Sequence, residues 1–163
     1  MTTPSKATRP VSVEHVRIET AKPFAEVRAS LETLVPPLNT GFRTSLERGA
    51  VPQVRDDLEA LAELSIFLTR DHGQLLRVWG QQRNAVQYEI GNPLTASSMT
   101  RYRLAAALYA PLRVVLFETQ DGRTVFEYDL PSSLFGQFGD DRVTEVGRKL
   151  DRELEEAILT AAS

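Results

Sequence analysis

The stretch Leu112–Asp129, LRVVLFETQDGRTVFEYD, decides the reading of the fold. Two runs rich in β-branched and aromatic residues, Leu112–Thr119 and Thr124–Asp129, flank Asp121-Gly122, a dipeptide that favours the tight turns of antiparallel hairpins. A two-residue turn sets Gln120 opposite Arg123, Phe117 opposite Phe126 and Val115 opposite Tyr128. One face then carries Arg113, Val115, Phe117, Phe126 and Tyr128. The other carries Val114, Leu116, Glu118, Val125, Glu127 and Asp129, because strand side chains alternate. The aromatic face should meet a helix. The mixed face, with three acids, should meet solvent, a partner chain or a cationic ligand.

Working outward, Ala85–Ile90 (AVQYEI) alternates in the same way, with Val86, Tyr88 and Ile90 on one side. Gly91-Asn92-Pro93 reads as a strand-to-helix junction: Asn92 suits an N-cap, and Pro93 suits the first helical position, where its missing N–H costs nothing. The helix that follows is predicted to run to about Leu108. Residues 64–73 (LSIFLTRDHG) suit a strand by composition or the continuation of a helix by length, and strand is preferred. Gln74–Trp79 reads as one or two helical turns ended by Gly80. Near the N-terminus, Val11–Thr20 reads as a strand. Phe24, Val27, Leu31 and Leu34 form the stripe of an amphipathic helix stopped by Pro36-Pro37. Residues 38–50 lack periodicity and read as a connection, and Val51, Val54, Leu58 and Leu61 mark a second helix. Downstream of Pro131, Asp140 or Asp141 is expected to cap a last helix with Val143, Val146, Leu150, Leu154 and Ile158 on its buried side.

Several of these segments resemble one known family. Tyr88-Glu89-Ile90-Gly91-Asn92-Pro93-Leu94, then Leu108-Tyr109-Ala110-Pro111-Leu112-Arg113-Val114, then Phe126-Glu127-Tyr128-Asp129-Leu130-Pro131 before a terminal helix, resemble members of domain-of-unknown-function family 302 over roughly residues 64–158. The resemblance implies an α+β fold similar to the half-repeat of the TATA-binding protein: a curved antiparallel sheet with helices packed on one face. It also implies a homodimer as the expected assembly. It implies no biochemical activity, and nucleic-acid binding does not transfer with a fold.

Composition narrows the function classes. The chain has 163 residues, enough for one α+β domain over residues 11–163 behind a loose polar tail at residues 1–10. There is no cysteine, which removes disulfides, thiolate metal sites and thiol nucleophiles. A formal net charge of −3 argues against a nucleic-acid partner, which requires a basic footprint. No apolar run is long enough to span a membrane, and no leader is recognisable, so a cytoplasmic protein is expected. No motif for a nucleotide, a serine nucleophile or a metal stands in the sequence, and neither cofactor nor metal is expected.

Five residues remain as candidates for chemistry. His72, directly after Asp71, can act as a general base or can be a plain loop histidine beside a capping acid. Arg113, placed by the hairpin reading on the face of Tyr128, can hold a carboxylate or phosphate, or can pair with an acid of the last helix such as Asp151. Asn92 can contribute to an anion site or simply cap its helix. Tyr88 and Tyr128 can be core residues or proton donors. The reading that follows is a binding domain for a small anionic, partly apolar molecule, with Arg113, Tyr88 and Asn92 as ligand contacts. The alternative is a cofactor-free isomerase, cyclase or lyase on a small organic acid, with His72 and Tyr128 as catalytic groups.

Overall fold

The computed structural model describes residues 3–163. Five strands, β1 (His15–Thr20), β2 (Ser65–Asp71), β3 (Ala85–Gly91), β4 (Leu112–Glu118) and β5 (Thr124–Asp129), form one antiparallel sheet in the order β1-β5-β4-β3-β2. Helices cover one face only, giving an α+β architecture. Helix α1 (Phe24–Leu34) and the long α7 (Asp141–Ala162) lie against that face, and α5 (Pro93–Thr100) closes one end. Val27 and Leu31 of α1, Met99 of α5, and Leu150, Leu154 and Ile158 of α7 meet Val86, Tyr88, Ile90, Leu112, Val114, Leu116, Phe126 and Tyr128 of the sheet. This single apolar layer is the core, since each element has one apolar side to remove from water.

The central hairpin forms, but one residue out of the expected register. Val114 pairs with Tyr128, Leu116 with Phe126 and Glu118 with Thr124. The turn is a three-residue loop: the Thr119 carbonyl accepts the Gly122 N–H at 3.1 Å, and the Thr119 N–H donates to the Arg123 carbonyl at 2.8 Å. Gly122 has φ +81°, the left-handed residue that such a loop needs after its turn. Arg123 N–H also donates to the Thr119 hydroxyl at 2.9 Å, so a side chain holds the longer loop closed. A one-residue slip moves one strand's side chains to the opposite face relative to its neighbour. Leu112, Val114 and Leu116 therefore join Phe126 and Tyr128 in the core, and Arg113 leaves it.

Other boundaries moved for identifiable reasons. Residues 11–14 lie outside the first strand, which begins at His15. The connection 38–50 contains a short helix, α2 (Phe42–Glu47), with no buried residue to announce it by periodicity. It leads into α3 (Val51–Glu59). The helix expected to reach Leu108 stops at Thr100, and a separate 3₁₀ segment spans Leu104–Tyr109. Ser97, Ser98 and Thr100 each donate a hydroxyl to the carbonyl three residues earlier, competing with the backbone ladder near the point where the helix ends. After β2, α4 (His72–Leu75) runs directly into a 3₁₀ turn, Leu76–Trp79, ended by Gly80. After β5 comes α6 (Pro131–Phe135), and Asp140 caps α7.

Candidate functional site

The uncovered face of the sheet is held by charge. Arg17 bridges Glu127 and Glu19, His15 Nδ1 lies 3.0 Å from Asp129, Arg123 lies 2.8 Å from Glu19, and Arg70 lies 2.6 Å from Glu89. The Asp129 and Glu127 contacts raise the pKa of the His15 imidazole. Beneath these pairs Val125 is fully buried, and the Arg17 guanidinium sits over the Phe117 ring. The long cationic stems thus shield the apolar positions of an otherwise bare face. Two of the three acids assigned to the mixed face, Glu127 and Asp129, find basic partners within the chain. The third, Glu118, accepts the Asn84 amide at 2.8 Å.

The five candidate residues occupy different surroundings. Arg113 is exposed on this outer face opposite Glu89 in the register, on the other side of the sheet from Tyr128. Asp151, the acid suggested as its partner, instead accepts the Ser132 N–H at the start of α6. Tyr88 is fully buried on the inner face, and its hydroxyl donates to Glu32 of α1 at 2.9 Å. Burial first, and Glu32 second, push its pKa well above the ordinary tyrosine range. Tyr128 is 3% exposed on the same face. Burial, reinforced by the charges of Glu155 and Asp151, pushes it up to about 12. A phenol held that high is a poor proton donor near neutral pH.

Asn92 caps α5: its side-chain oxygen accepts the Leu94 and Thr95 N–H groups, and its amide donates to the Ala62 carbonyl at 3.0 Å. It lines a cavity of about 20 Å³ together with Gly91, Ala110 and Pro111, residues of two of the three segments that resemble the family. That volume admits one water and no ligand. His72 is exposed at the start of α4, and the neighbouring Asp71 carboxylate accepts the Gln74 N–H at 2.9 Å rather than orienting the imidazole. The structure therefore brings Tyr88 and Tyr128 to one face and leaves His72, Arg113 and Asn92 apart from them.

An opening larger than this cavity lies elsewhere. A cleft of about 420 Å³ forms at the end of the sheet, lined by Asp71, Gly73, Gln74, Arg77, Gln82, Arg83, Asn84 and Glu118. Close packing at Gly73 builds it. A Cβ added there would lie 2.3 Å from the Arg83 carbonyl oxygen and 3.0 Å from the Ala85 nitrogen, so only glycine lets α4 fold back on the strand that follows. The cleft's two carboxylates already accept hydrogen bonds, Asp71 from Gln74 and Glu118 from Asn84. Arg83 donates to the Glu118 carbonyl at 3.3 Å, and the Arg77 guanidinium has no ion-pair partner among the described residues. The Arg77 donors and most of the Arg83 donors therefore remain open in the cleft, beside carboxylates that each accept one hydrogen bond.

Sequence reading missed Arg77, Arg83, Gln74, Gln82 and Asn84. A signal was present: residues 72–84 carry two arginines and no acid, and they far exceed the two to five residues that commonly join neighbouring antiparallel strands. Among the described residues, no three His, Asp or Glu side chains lie close enough together to hold a metal ion. Nor is any described helix long and apolar enough to cross a membrane.

The model of the family described as "Domain of unknown function DUF302" matches residues 42–161. The chain belongs to the DUF302 family. The match starts at Phe42, so α2 and α3 are part of the family domain. A crystal structure of an uncharacterized conserved DUF302 protein from Bacillus stearothermophilus superposes with a TM-score of 0.66, at 15% identity, over 90% of this chain and 97% of that one. Similarity at this identity establishes a common fold. No curated protein matches the chain.

Proposed function

We propose that this DUF302 protein is a binding module for a small hydrophilic anion, held in the cleft between residues 71–84 and Glu118. The observation that carries this reading is the pair of guanidinium groups with open donors. Arg77 has no ion-pair partner among the described residues, Arg83 makes only one long bond to a carbonyl, and the cleft's two carboxylates each accept their hydrogen bond from another group, Gln74 or Asn84. Guanidinium groups offer several N–H donors in a planar fork that matches carboxylate and phosphate oxygens. The volume, about 420 Å³, falls in the range of small-molecule sites. Every side chain of the lining is polar, which favours a compact, well-hydrated ligand over an apolar one.

Thermal unfolding at constant ionic strength, with inorganic phosphate and a series of small mono- and dicarboxylates, tests the assignment. A ligand present at a hundredfold excess over its dissociation constant stabilises the folded state by about 2.7 kcal/mol, a rise in Tm of roughly 5–10 °C for a chain of this size. The rise is expected to saturate and to disappear in Arg77→Ala. No saturable rise with any of these anions, or an equal rise in the variant, refutes a soluble anion held by Arg77 in this cleft.

A further inference from the structure

The cleft has an apolar neighbour that the binding reading does not use. Helix α4 and the 3₁₀ turn after it form one continuous helical segment from His72 to Trp79. Leu75 and Val78 stand on it three residues apart, a spacing that puts them on one side in either helix type, and Trp79 closes the segment. They are 65%, 81% and 80% exposed, while Gln74 and Arg77 of the same segment line the cleft. The segment thus leaves three apolar side chains open to water while it turns Gln74 and Arg77 to the cleft. Leu104 and Leu108 are comparably exposed on the 3₁₀ segment, but no cleft of this kind adjoins them.

Charge decides among occupants of this tip. Residues 72–84 contain Arg77 and Arg83 and no acid, within a chain whose net charge is −3. Asp71 and Glu118 stand in the wall of the same cleft, each hydrogen-bonded within the chain, so the positive charge belongs to the segment beyond them; together with a tryptophan and two aliphatic side chains it complements a surface that is anionic outside and apolar just beneath. That is the profile of an anionic lipid bilayer, at whose interface Trp and Arg are favoured. We infer that the tip docks on anionic membrane surfaces, Leu75, Val78 and Trp79 entering the interface while Arg77 and Arg83 take a lipid headgroup phosphate in the cleft. The inference rests on the anion-cleft reading and names the source of the anion. It calls for a protein that lies on a membrane, not one that spans it.

Trp79 is the only tryptophan of the chain, so its emission reports directly on what covers the tip. The full chain is titrated with vesicles of phosphatidylcholine alone and with vesicles of equal parts phosphatidylcholine and phosphatidylglycerol. The expected result is a shift of Trp79 emission to shorter wavelength with the anionic vesicles only, weakened by added salt. Val78→Gln, an exposed substitution that leaves the fluorophore in place, should lower vesicle affinity about tenfold or more through lost apolar burial. Removing both arginines (Arg77→Ala with Arg83→Ala) should lower it about thirtyfold, at roughly a fivefold contribution each. Urea midpoints of the variants establish that they fold.

Absence of a shift with anionic vesicles overturns membrane docking, and if phosphate still raises Tm the cleft reading survives alone. A shift that persists in the double arginine variant overturns the headgroup assignment. A concentration-dependent shift in buffer without vesicles, accompanied by dimer formation in light scattering, overturns the lipid occupant in favour of a second copy of the chain. Arginine-dependent vesicle binding without any effect of soluble anions supports the lipid inference and retires the soluble ligand.

Discussion

Two connections in this molecule do the same topological task, joining antiparallel neighbours, and they do it in opposite ways. Between β4 and β5 the chain turns through Gln120, Asp121 and Gly122, with backbone and hydroxyl groups of Thr119 closing the loop onto Gly122 and Arg123. Between β2 and β3 it takes residues 72–84, builds a helical segment, encloses a polar cleft and exposes Leu75, Val78 and Trp79. The first connection takes three residues, one more than the tightest hairpin turn. The second carries more chain than pairing requires, and its extra residues leave apolar surface in water and arginine donors unpaired. Neither feature helps the fold. A segment that departs from the economy of its neighbours without a structural return is where function is to be sought.

The contrast can be broken or sharpened by measurement. The largest effect belongs to the core beneath the short turn: Phe126→Ala removes a fully buried ring and should cost about 3–5 kcal/mol in urea unfolding. If the loss is below about 1 kcal/mol, the inner face is not the main source of stability. Gly73→Ala comes next. Its Cβ meets backbone at 2.3 Å, so the long connection must open, at a cost of about 1–3 kcal/mol together with loss of anion binding. An alanine variant of full stability and unchanged anion binding would mean that close packing at this glycine does not build the cleft. Gly122→Ala, in the short turn, meets no neighbour but must adopt a left-handed conformation, worth about 1–2 kcal/mol, and should leave anion binding intact.

Two pH effects are smaller and opposite in sign. At the cap of α7, hydrogen bonds from Arg142 hold the Asp140 carboxyl at about 2, below its ordinary 3.8. A lowered carboxyl stabilises the fold above its unfolded pKa, and the contribution disappears as pH falls from about 4 to about 2. Asp140→Asn should therefore reduce the drop in urea midpoint over that interval, and an unchanged drop would remove Asp140 as its cause. On the outer sheet face the imidazole of His15 is raised above 6.5, chiefly by its hydrogen bond to Asp129. A raised imidazole contributes fully below its unfolded pKa and loses that contribution as pH rises through the folded value. Because His15 is solvent-exposed the effect is small, and His15→Gln should flatten the stability curve only slightly between about pH 6 and pH 8.

Much of the architecture was legible locally. Of the α1 stripe Phe24, Val27 and Leu31 are buried and Leu34, at the helix end, is exposed; the Asn92-Pro93 start of α5, the alternation of Val86, Tyr88 and Ile90, and the α7 stripe formed where their spacing placed them. Each depends on groups a few residues apart: a period that matches helix or strand, or a side chain that satisfies a nearby N–H. The candidate site was much less legible. Arg113 was drawn to the wrong face because Asp121-Gly122 permits loops of two or three residues, and a difference of one residue exchanges the faces.

What the sequence determined by itself, then, is the five strands, the longer helices with most of their buried stripes, the caps at Asn92 and Asp140, and the segments that mark the chain as a DUF302 domain. These are short-range properties, encoded in residue type and spacing. The tertiary structure alone decided the hairpin register, because burial of Leu112, Val114 and Leu116 against α1 and α7 selects between turns that are locally close in energy. It also decided the cleft. Gly73 and Arg83 touch only once β2 and β3 are paired, and the donors of Arg77 and Arg83 are seen to be open only once the partners of Asp71 and Glu118 are known.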